Sequence, residues 1–348
     1  MRAPRFWYPA RQRGMPFMAQ LLSPFGMLYG MAARIRSRTA RVEHVPVPVI
    51  CIGNVTMGGA GKTPIALALA ERLIAQGETV HFLSRGYRRE SQGTIQVDPA
   101  RHGAADVGDE PLLLARVAPT WVSADRVAGA KAAADAGATV IVMDDGLQNP
   151  YLAKDFSILV IDAGAGIGNG HVFPAGPLRE EANDALKRVQ AVILTGRGHA
   201  GDGIAARAQA RGIPVYRSMA KPTSLDPALD DVRVLAFSGI ARPEKFYETL
   251  RGLGAEVAAT QDFPDHHVFT EAEASRLMIR ARELDAHPVT TEKDAIRLAH
   301  APTGSARAKL AESLQTVPIR AVISDMTQLE ALIGEVLHRH RLARDEAG

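Results

Sequence analysis

From residue 45 onwards, short apolar segments alternate with segments that have a helical pattern of apolar positions. Residues 45–53 are apolar and β-branched, which predicts a buried strand; residues 64–75 place Ile65, Leu69 and Leu73 on one helical face. Further strands are expected at 80–83, 120–122, 139–143, 157–161 and 191–194, and helices at 111–117 and 126–136. This alternation predicts an α/β fold with a doubly wound parallel sheet.

A break rich in proline and polar residues, at 218–231, interrupts the alternation. Beyond it, strands at 233–237, 256–259 and 317–322 and helices at 244–253 and 271–284 predict a second, smaller α/β domain. We therefore expect an N-terminal segment 1–42, a first domain 43–220 and a C-terminal domain 221–348.

The charge is concentrated at one end of the chain. The 348 residues carry a net charge of +3, but residues 1–42 hold eight arginines and no lysine, aspartate or glutamate. The remainder has 33 basic and 38 acidic residues, a net charge of −5, which argues against a nucleic-acid-binding protein. The single cysteine, Cys51, excludes a disulfide framework and a cysteine-based metal cluster, and it fits a reducing cytoplasm.

An uncharged run of 19 residues, 15–33, lies between these arginines. It contains two prolines and two glycines, and its large apolar residues share one helical face: Met18, Leu21, Leu22, Phe25, Leu28 and Tyr29. The pattern favours a membrane-associated helix lying in an anionic interface. A membrane span, a helix packed on the protein's own core and a signal peptide remain the alternatives.

The segment after the first predicted strand has the pattern of a phosphate-binding loop. It ends in Gly61-Lys62-Thr63, in which the lysine reaches the β- and γ-phosphates and the threonine hydroxyl holds Mg²⁺. Thr56 stands where the first glycine of the motif is usual, and a structural glycine-rich turn is the alternative. The expected nucleotide contacts are Thr56, Met57, Gly58, Gly59, Ala60, Gly61, Lys62 and Thr63.

The predicted strand 139–143 runs into Asp144 and Asp145. An apolar strand that ends in aspartate is typical of a site that orients Mg²⁺ directly or through water. A turn or a helix cap is the alternative explanation. With a P-loop upstream, the pair and Thr63 are the candidate metal ligands of a P-loop NTPase-type fold.

Two classes of P-loop protein fit poorly. A guanine-specific N-K-x-D string is absent, since the nearest candidate places Lys293 and Asp294 side by side. Partition and maturation ATPases carry a lysine where this chain has Met57. Both absences favour a kinase.

Several short strings in order along the chain resemble the tetraacyldisaccharide 4′-kinase family of lipid A biosynthesis. They are residues 53–64, 84–87, 108–111, 144–148, 168–170, 174–180, 237–240, 265–267 and 290–295. Each string is unspecific alone, but together they cover nearly the whole chain.

The resemblance implies that the γ-phosphoryl group of ATP is transferred, with Mg²⁺, to the 4′-hydroxyl of a tetraacylated glucosamine disaccharide 1-phosphate. Such a lipid lies in the bacterial inner membrane with its sugars at the cytoplasmic face. The N-terminal segment would then hold the enzyme at an anionic membrane surface. No obligate protein partner is expected.

The resemblance also implies catalytic residues. Asp109 and His266 would form the base system, and Lys62 would neutralise phosphate charge. Asp109 could instead cap a helix, and the neighbouring His267 is not distinguished from His266 by local sequence.

Further candidates concern the acceptor and the nucleotide. Arg179, Glu180, Tyr87 and Arg126 are expected to bind the acceptor, and Gln148 the nucleotide or the acceptor. A surface ion pair is the alternative for Arg179 and Glu180, and a partly buried tyrosine at the end of a strand is the alternative for Tyr87. Glu292 and Lys293 receive no role.

A second hypothesis is a membrane-tethered P-loop ATPase that acts on a protein partner. The missing lysine at Met57 and the ordered strings through residue 295 weigh against it.

Overall fold

The computed structural model describes residues 4–8, 17–86, 91–223, 225, 227–240 and 243–347. A 3₁₀ turn, Arg5–Trp7, precedes a long helix, α1 (Phe17–Thr39). The strands that follow, up to residue 222, are β1 (Val49–Gly53), β2 (Val80–Ser84), β3 (Ile95–Gln96), β4 (Thr120–Val122), β5 (Val140–Asp144), β6 (Phe156–Asp162), β7 (Ala191–Thr195) and β8 (Val215–Pro222). The helices between them are α2 (Lys62–Ala75), α3 (Ala104–Val107), α4 (Asp109–Leu114), α5 (Arg126–Asp135), α6 (Ala182–Leu186) and α7 (Asp202–Gln209).

These strands form most of a large sheet. Its central strands, in the spatial order β8-β7-β6-β1-β5-β2-β4, are all parallel, and β3 pairs antiparallel with β4 at one edge. Helices cover both faces. The expected doubly wound parallel sheet is therefore confirmed, and the strands begin and end within a few residues of the predicted positions, except at 45–48, which precede β1.

Alternating side chains of the buried strands build two cores. In β1, Ile50 and Ile52 point to one face, and Cys51 points to the other. Parallel strands covered by helices on both sides require such continuous apolar sequence. Helix α2 packs on the face of Ile50, while α5, α6 and α7 pack on the face of Cys51.

A second, four-stranded parallel sheet follows. Its strands are β9 (Arg233–Ser238), β10 (Glu256–Asp262), β11 (His287–Thr291) and β12 (Gln315–Val317), in the order β10-β9-β11-β12. Its helices are α8 (Pro243–Gly252), α9 (Glu271–Glu283), α10 (Glu292–Leu298) and α11 (Ala306–Ser313). The expected second α/β unit is present.

The chain then returns to the large sheet. The strand expected at 317–322 is in fact two strands separated by Pro318, which has no N–H to donate to a ladder: β12 belongs to the small sheet, and β13 (Ile319–Ile323) pairs antiparallel with β8. The last helix, α12 (Met326–Ala347), buries Leu329 and Ile333 in the core beside α2. The division at residue 220 stays a prediction, but β13 and α12 pack with the first sheet.

Helix α1 packs through its small residues and exposes its large ones. Gly26 packs closely against Val172: a Cβ atom on Gly26 would lie 2.7 Å from the Val172 carbonyl oxygen. Ala19 is fully buried. The large apolar side chains face outward: Phe17, Met18, Leu21, Phe25, Met27, Leu28, Tyr29, Met31 and Ile35. Among the described residues, no helix has the length and apolar character needed to cross a bilayer.

The packing of α12 on the large sheet predicts a stability effect. Ile333→Ala should lower the free energy of unfolding by about 2–5 kcal/mol, because it removes three carbons from a fully buried side chain. Urea denaturation followed by circular dichroism measures the change. Glu335→Ala, on the exposed side of the same helix, should change it by less than about 0.5 kcal/mol. A loss below about 1 kcal/mol for Ile333→Ala would contradict this packing.

Candidate active site

The loop between β1 and α2 presents its backbone to open space. Gly58 (φ 135°) and Gly61 (φ 80°) adopt backbone conformations that favour glycine. A Cβ atom on Gly58 or Gly59 would meet no atom within 4 Å. Helix α2 begins at Lys62, so its first N–H groups add a partial positive charge at this loop. The loop can therefore hold phosphate oxygens.

Two carboxylates lie beside this loop because β1 and β5 are neighbouring parallel strands whose carboxyl ends share one edge. The Thr63 hydroxyl lies 3.2 Å from Asp144 Oδ2. Lys62 Nζ lies 3.4 Å from Asp145 Oδ1, and Arg179 Nη1 donates to both oxygens of Asp145 at 2.9 and 3.0 Å. The structure thus brings the predicted phosphate and metal residues together.

The two aspartates differ in electrostatics. Burial, with the nearby charge of Glu110, raises the pKa of Asp144 to about 7. Burial also acts on Asp145, but the charges of Lys62 and Arg179 outweigh it and lower the pKa of that carboxyl. Asp145 is therefore already neutralised by side chains, whereas Asp144 is short of positive charge.

The environment of Asp144 fits a bound Mg²⁺ ion. Its Oδ1 atom is buried without a hydrogen-bond partner in the described part of the chain. Among the described residues, no cluster of three His, Cys, Asp or Glu side chains could hold a metal alone. A hydroxyl, a carboxylate and nucleotide phosphates form the oxygen ligand set that Mg²⁺ prefers. Thr63 and Asp144 would hold the ion, with Asp145 next to them.

Gln148 and Glu180 belong to a second group of polar contacts beside Asp145. Gln148 Nε2 donates to the Asn54 carbonyl at 2.8 Å and to Glu180 Oε1 at 2.9 Å. Glu180 also pairs with Arg188, although burial raises the pKa of its carboxyl. These contacts hold Gln148 and Glu180 at the edge of the phosphate loop.

Asp109 and His266 meet across the two sheets. Asp109 is the first residue of α4, and His266 lies in the loop after β10; His266 Nδ1 lies 3.1 Å from Asp109 Oδ2. Burial would raise the pKa of Asp109, but the hydrogen bond from His266 and the charges of Lys293 and Arg297 hold it well below its usual range. The carboxylate is therefore ionised at neutral pH.

The neighbouring histidine points elsewhere. His267 Nε2 contacts Glu273 Oε2 at 2.9 Å, and the His267 ring stacks on Phe263 with a centroid distance of 4.9 Å. His266, which has a positive φ of 60°, contacts Asp109 instead. The structure thus distinguishes two histidines that local sequence left equivalent.

One cleft of about 2220 Å³ connects these groups. Its lining includes Met57–Thr63 and the side chains Asp109, Arg126, Asp145, Gln148, Arg179, Glu180 and His266. Arg126 donates to the carbonyls of Ser123 and Ala124 at 2.6 and 3.1 Å. Thr56 is buried in a bridge to Leu178 and does not line the cleft, and Tyr87 lies outside the described residues.

The family described as tetraacyldisaccharide-1-P 4′-kinase (LpxK) matches residues 18–338, most of the chain. The chain belongs to this family. Consistent with that, it is 61% identical to a tetraacyldisaccharide 4′-kinase of Parvibaculum lavamentivorans, over 98% of this chain and 99% of that protein. It is 45% identical to the tetraacyldisaccharide 4′-kinase of Rhodospirillum rubrum, over 97% of this chain and 98% of that protein.

A solved structure of the same family has a similar fold. The crystal structure of "apo" form LpxK from Aquifex aeolicus in complex with ATP superposes with a TM-score of 0.70 at 25% identity, covering 92% of this chain and all of that chain. The resemblance found in the short sequence strings is thereby confirmed, and the chain is an ATP-dependent kinase of the lipid A pathway. The hypothesis of an ATPase acting on a protein partner is not favoured.

Three residues at this site, Glu292, Lys293 and Arg297, received no functional role from the sequence. Lys293 Nζ contacts Glu110 Oε1 at 2.7 Å, and Arg297 Nη2 donates to Asp109 Oδ2. Glu292 accepts from the Ile319 N–H and from Arg320, both at 3.3 Å, beside the junction of the two sheets. The string 290–295 is a motif of the family resemblance, but the partner of Lys293 lies 183 positions away, where local sequence gives no signal.

Replacing Asp144 or Asp145 by asparagine should have opposite effects on the stability of the protein. The pKa of Asp144 is raised from 3.8 to about 7, so its ionisation costs folding free energy increasingly as pH rises between those values. Asp144→Asn should therefore raise the melting temperature of the nucleotide-free enzyme, more at pH 8 than at pH 5, while abolishing Mg²⁺-dependent turnover.

Asp145→Asn is the matched control. Because the pKa of Asp145 is lowered, its ionised form stabilises the fold at neutral pH, and that stability is lost as pH falls through the folded-state pKa. This variant should lower the melting temperature at pH 8. Differential scanning calorimetry measures both. A lower melting temperature for Asp144→Asn at pH 8 would contradict the assignment.

Proposed function

We propose that this chain transfers the γ-phosphoryl group of ATP to the 4′-hydroxyl of a tetraacylated glucosamine disaccharide 1-phosphate at the cytoplasmic face of the inner membrane. The observation that carries the proposal is that the Asp109–His266 pair and the phosphate loop line the same cleft. A nucleotide loop alone supports many reactions, but a buried, ionised carboxylate facing it supports transfer to a hydroxyl.

The triphosphate of ATP binds along the glycines and the first turn of α2. Lys62 neutralises negative charge on the β- and γ-phosphates as the bond to the leaving ADP breaks. When bound at Thr63 and Asp144, Mg²⁺ supplies further charge neutralisation and alignment of the phosphates. Asp145 forms ion pairs with Lys62 and Arg179 and so fixes the positions of these two side chains.

Asp109 accepts the proton of the attacking hydroxyl. The 4′-oxygen forms a bond to the γ-phosphorus, the bond to ADP breaks, and the hydroxyl proton passes to the Asp109–His266 pair. A carboxylate with a low pKa is a weak base, but the hydroxyl becomes acidic as its oxygen bonds to phosphorus, so late proton transfer suffices. His266 orients the carboxylate through the contact from Nδ1.

The acceptor occupies the part of the cleft next to α1. The end of α1, including Tyr29, Ala33 and Arg34, lines the same cleft as Arg179 and Glu180. We assign Arg179, Glu180 and Arg126 to the acceptor, and Gln148 to the junction of acceptor and nucleotide. Tyr87, from the string 84–87, completes the proposed acceptor set.

Helix α1 places this cleft against the membrane. Its outward face carries exposed apolar side chains, among them Phe17 (74% exposed) and Phe25 (61% exposed), and its last turn carries Arg36 and Arg38. Apolar side chains partition into the acyl boundary, and arginines are attracted to anionic headgroups by about 1 kcal/mol each. A lipid acceptor then reaches the cleft without leaving the bilayer surface.

The proposed reaction predicts the behaviour of the two adjacent histidines. With γ-labelled ATP, Mg²⁺ and the purified disaccharide lipid in detergent micelles, the enzyme should form a 4′-phosphorylated product. His266→Gln and Asp109→Asn should each lower kcat by about 10²–10⁴-fold with little change in ATP binding, because the first releases the orientation of the proton-accepting carboxylate and the second removes that carboxylate.

His267→Gln is the matched control, since that side chain contacts Glu273 and not Asp109. Its kcat should remain within about twofold of the wild type. Wild-type enzyme that forms no 4′-phosphorylated lipid would refute the proposed function. Near wild-type turnover in Asp109→Asn would refute the proposed base.

The exposed face of α1 predicts the effect of charge on membrane binding. The double variant Leu21→Glu/Phe25→Glu should reduce binding to vesicles containing anionic lipid by more than tenfold, because two interfacial apolar side chains become charged. Co-sedimentation with the vesicles measures binding. Ile279→Glu, at an exposed position on α9, should bind like the wild type. Equal binding of all three proteins would show that α1 is not the membrane contact.

A further inference from the structure

Arg297, in α10 of the second sheet, is a buried arginine that the proposed reaction does not use directly. Its side chain is only 4% exposed, and its two terminal nitrogens have different partners. Nη1 donates to the Gly239 carbonyl and to Asp294 Oδ1, both at 2.8 Å. Nη2 donates to Asp109 Oδ2. One guanidinium therefore connects the second sheet to the carboxylate of the first.

The Nη1 edge holds the backbone that carries His266. The Gly239 carbonyl accepts from Arg297 and also from the His266 N–H at 3.3 Å. The Gly239 N–H donates to Asp294 Oδ2 at 3.1 Å, and a Cβ atom on Gly239 would lie 2.9 Å from Asp294 Oδ1. Only glycine permits this close approach. The Arg297–Asp294 pair thus fixes the turn from which His266 reaches Asp109.

The Nη2 edge acts on the carboxylate itself. Arg297 Nη2 and His266 Nδ1 lie 3.4 Å apart, and both contact Asp109 Oδ2. The other charged groups around this carboxylate are Lys293, its partner Glu110, and Asp265, whose Oδ2 lies 3.9 Å from His266 Nε2. Arg297 donates directly to the buried carboxylate, whereas Lys293 makes its own contact with Glu110.

We propose that Arg297 is a positioning residue for the base system: it orients the Asp109 carboxylate from one edge of its guanidinium and holds the His266 turn from the other. The catalytic consequence of this role rests on the proposed function. The effect of Arg297 on the Asp109 carboxylate does not. Burial favours the protonated form of Asp109, so losing the guanidinium contact raises the pKa of that carboxyl.

A direct test follows the carboxyl group of Asp109. In protein labelled with ¹³C at aspartate Cγ, the Asp109 signal is assigned by its loss in Asp109→Asn. In wild-type enzyme this signal should not titrate above pH 4. In Arg297→Gln the midpoint of the Asp109 titration should rise by at least one pH unit. In Arg297→Lys the midpoint should lie between those of the wild type and Arg297→Gln, because an ammonium restores the positive charge but not the two separate edges of the guanidinium.

Asp294→Asn is the matched control at the other edge. It weakens the Nη1 contacts and leaves the Nη2 contact to Asp109 in place. Its melting temperature should fall, and the Asp109 midpoint should move much less than in Arg297→Gln, because the guanidinium still donates to Asp109. If Arg297→Gln does not fold, the Asp109 midpoint is compared between Arg297→Lys and Asp294→Asn instead.

The kinetic consequence is a change in the pH profile. In Arg297→Gln, the acid limb of the kcat profile should move to higher pH by the same interval as the Asp109 midpoint, with the KM for ATP nearly unchanged. An Asp109 midpoint that does not move in Arg297→Gln or Arg297→Lys would overturn the inference. Because the titration needs no lipid acceptor, its result is separate from any failure of the wild type to phosphorylate the disaccharide.

Discussion

The ion pairs between α4 and α10 bring the second sheet to the nucleotide site. Asp109 and Glu110 at the start of α4 meet Arg297 and Lys293 of α10, and His266 joins them from the loop after β10. A buried carboxylate is costly unless cations and hydrogen bonds compensate it. The position of the proposed base, Asp109, therefore depends on the second sheet being in contact with the first. Each sheet alone holds only part of the proposed catalytic site.

The phosphate side of the site depends on a simpler constraint. Neighbouring parallel strands end at the same edge, so the loop after β1 and the two aspartates at the end of β5 meet without any long-range adjustment. The two aspartates nevertheless have opposite electrostatics. Asp145 is neutralised by Lys62 and Arg179, whereas Asp144 is buried with an unpartnered oxygen in the described structure. A site that lacks one positive charge is arranged to bind a cation together with ATP.

Helix α1 illustrates how one element can have two packing surfaces. Small residues, Ala19 and Gly26, allow close contact with the protein, and the large apolar residues remain outside. A helix that only completed the core would bury the large side chains instead. The exposed face and the terminal arginines together support the proposed role of α1 at an anionic membrane surface, beside the part of the cleft proposed for the acceptor.

Much of this protein is determined by its sequence at short range. The apolar strands, the glycines before Lys62 and the aspartates at the end of β5 are local patterns, so the parallel sheet and the phosphate loop could be predicted from them. The ordered short strings also identified the family and its reaction. The tertiary structure alone decided what depends on distant contacts. Pro318 splits an apparently single strand between two sheets. His266, which only the family resemblance had selected over His267, is the histidine that reaches Asp109. Arg297 had no local signal, since its partner Asp109 is 188 positions away. Such contacts depend on how two sheets pack together, and no periodicity within either segment encodes that.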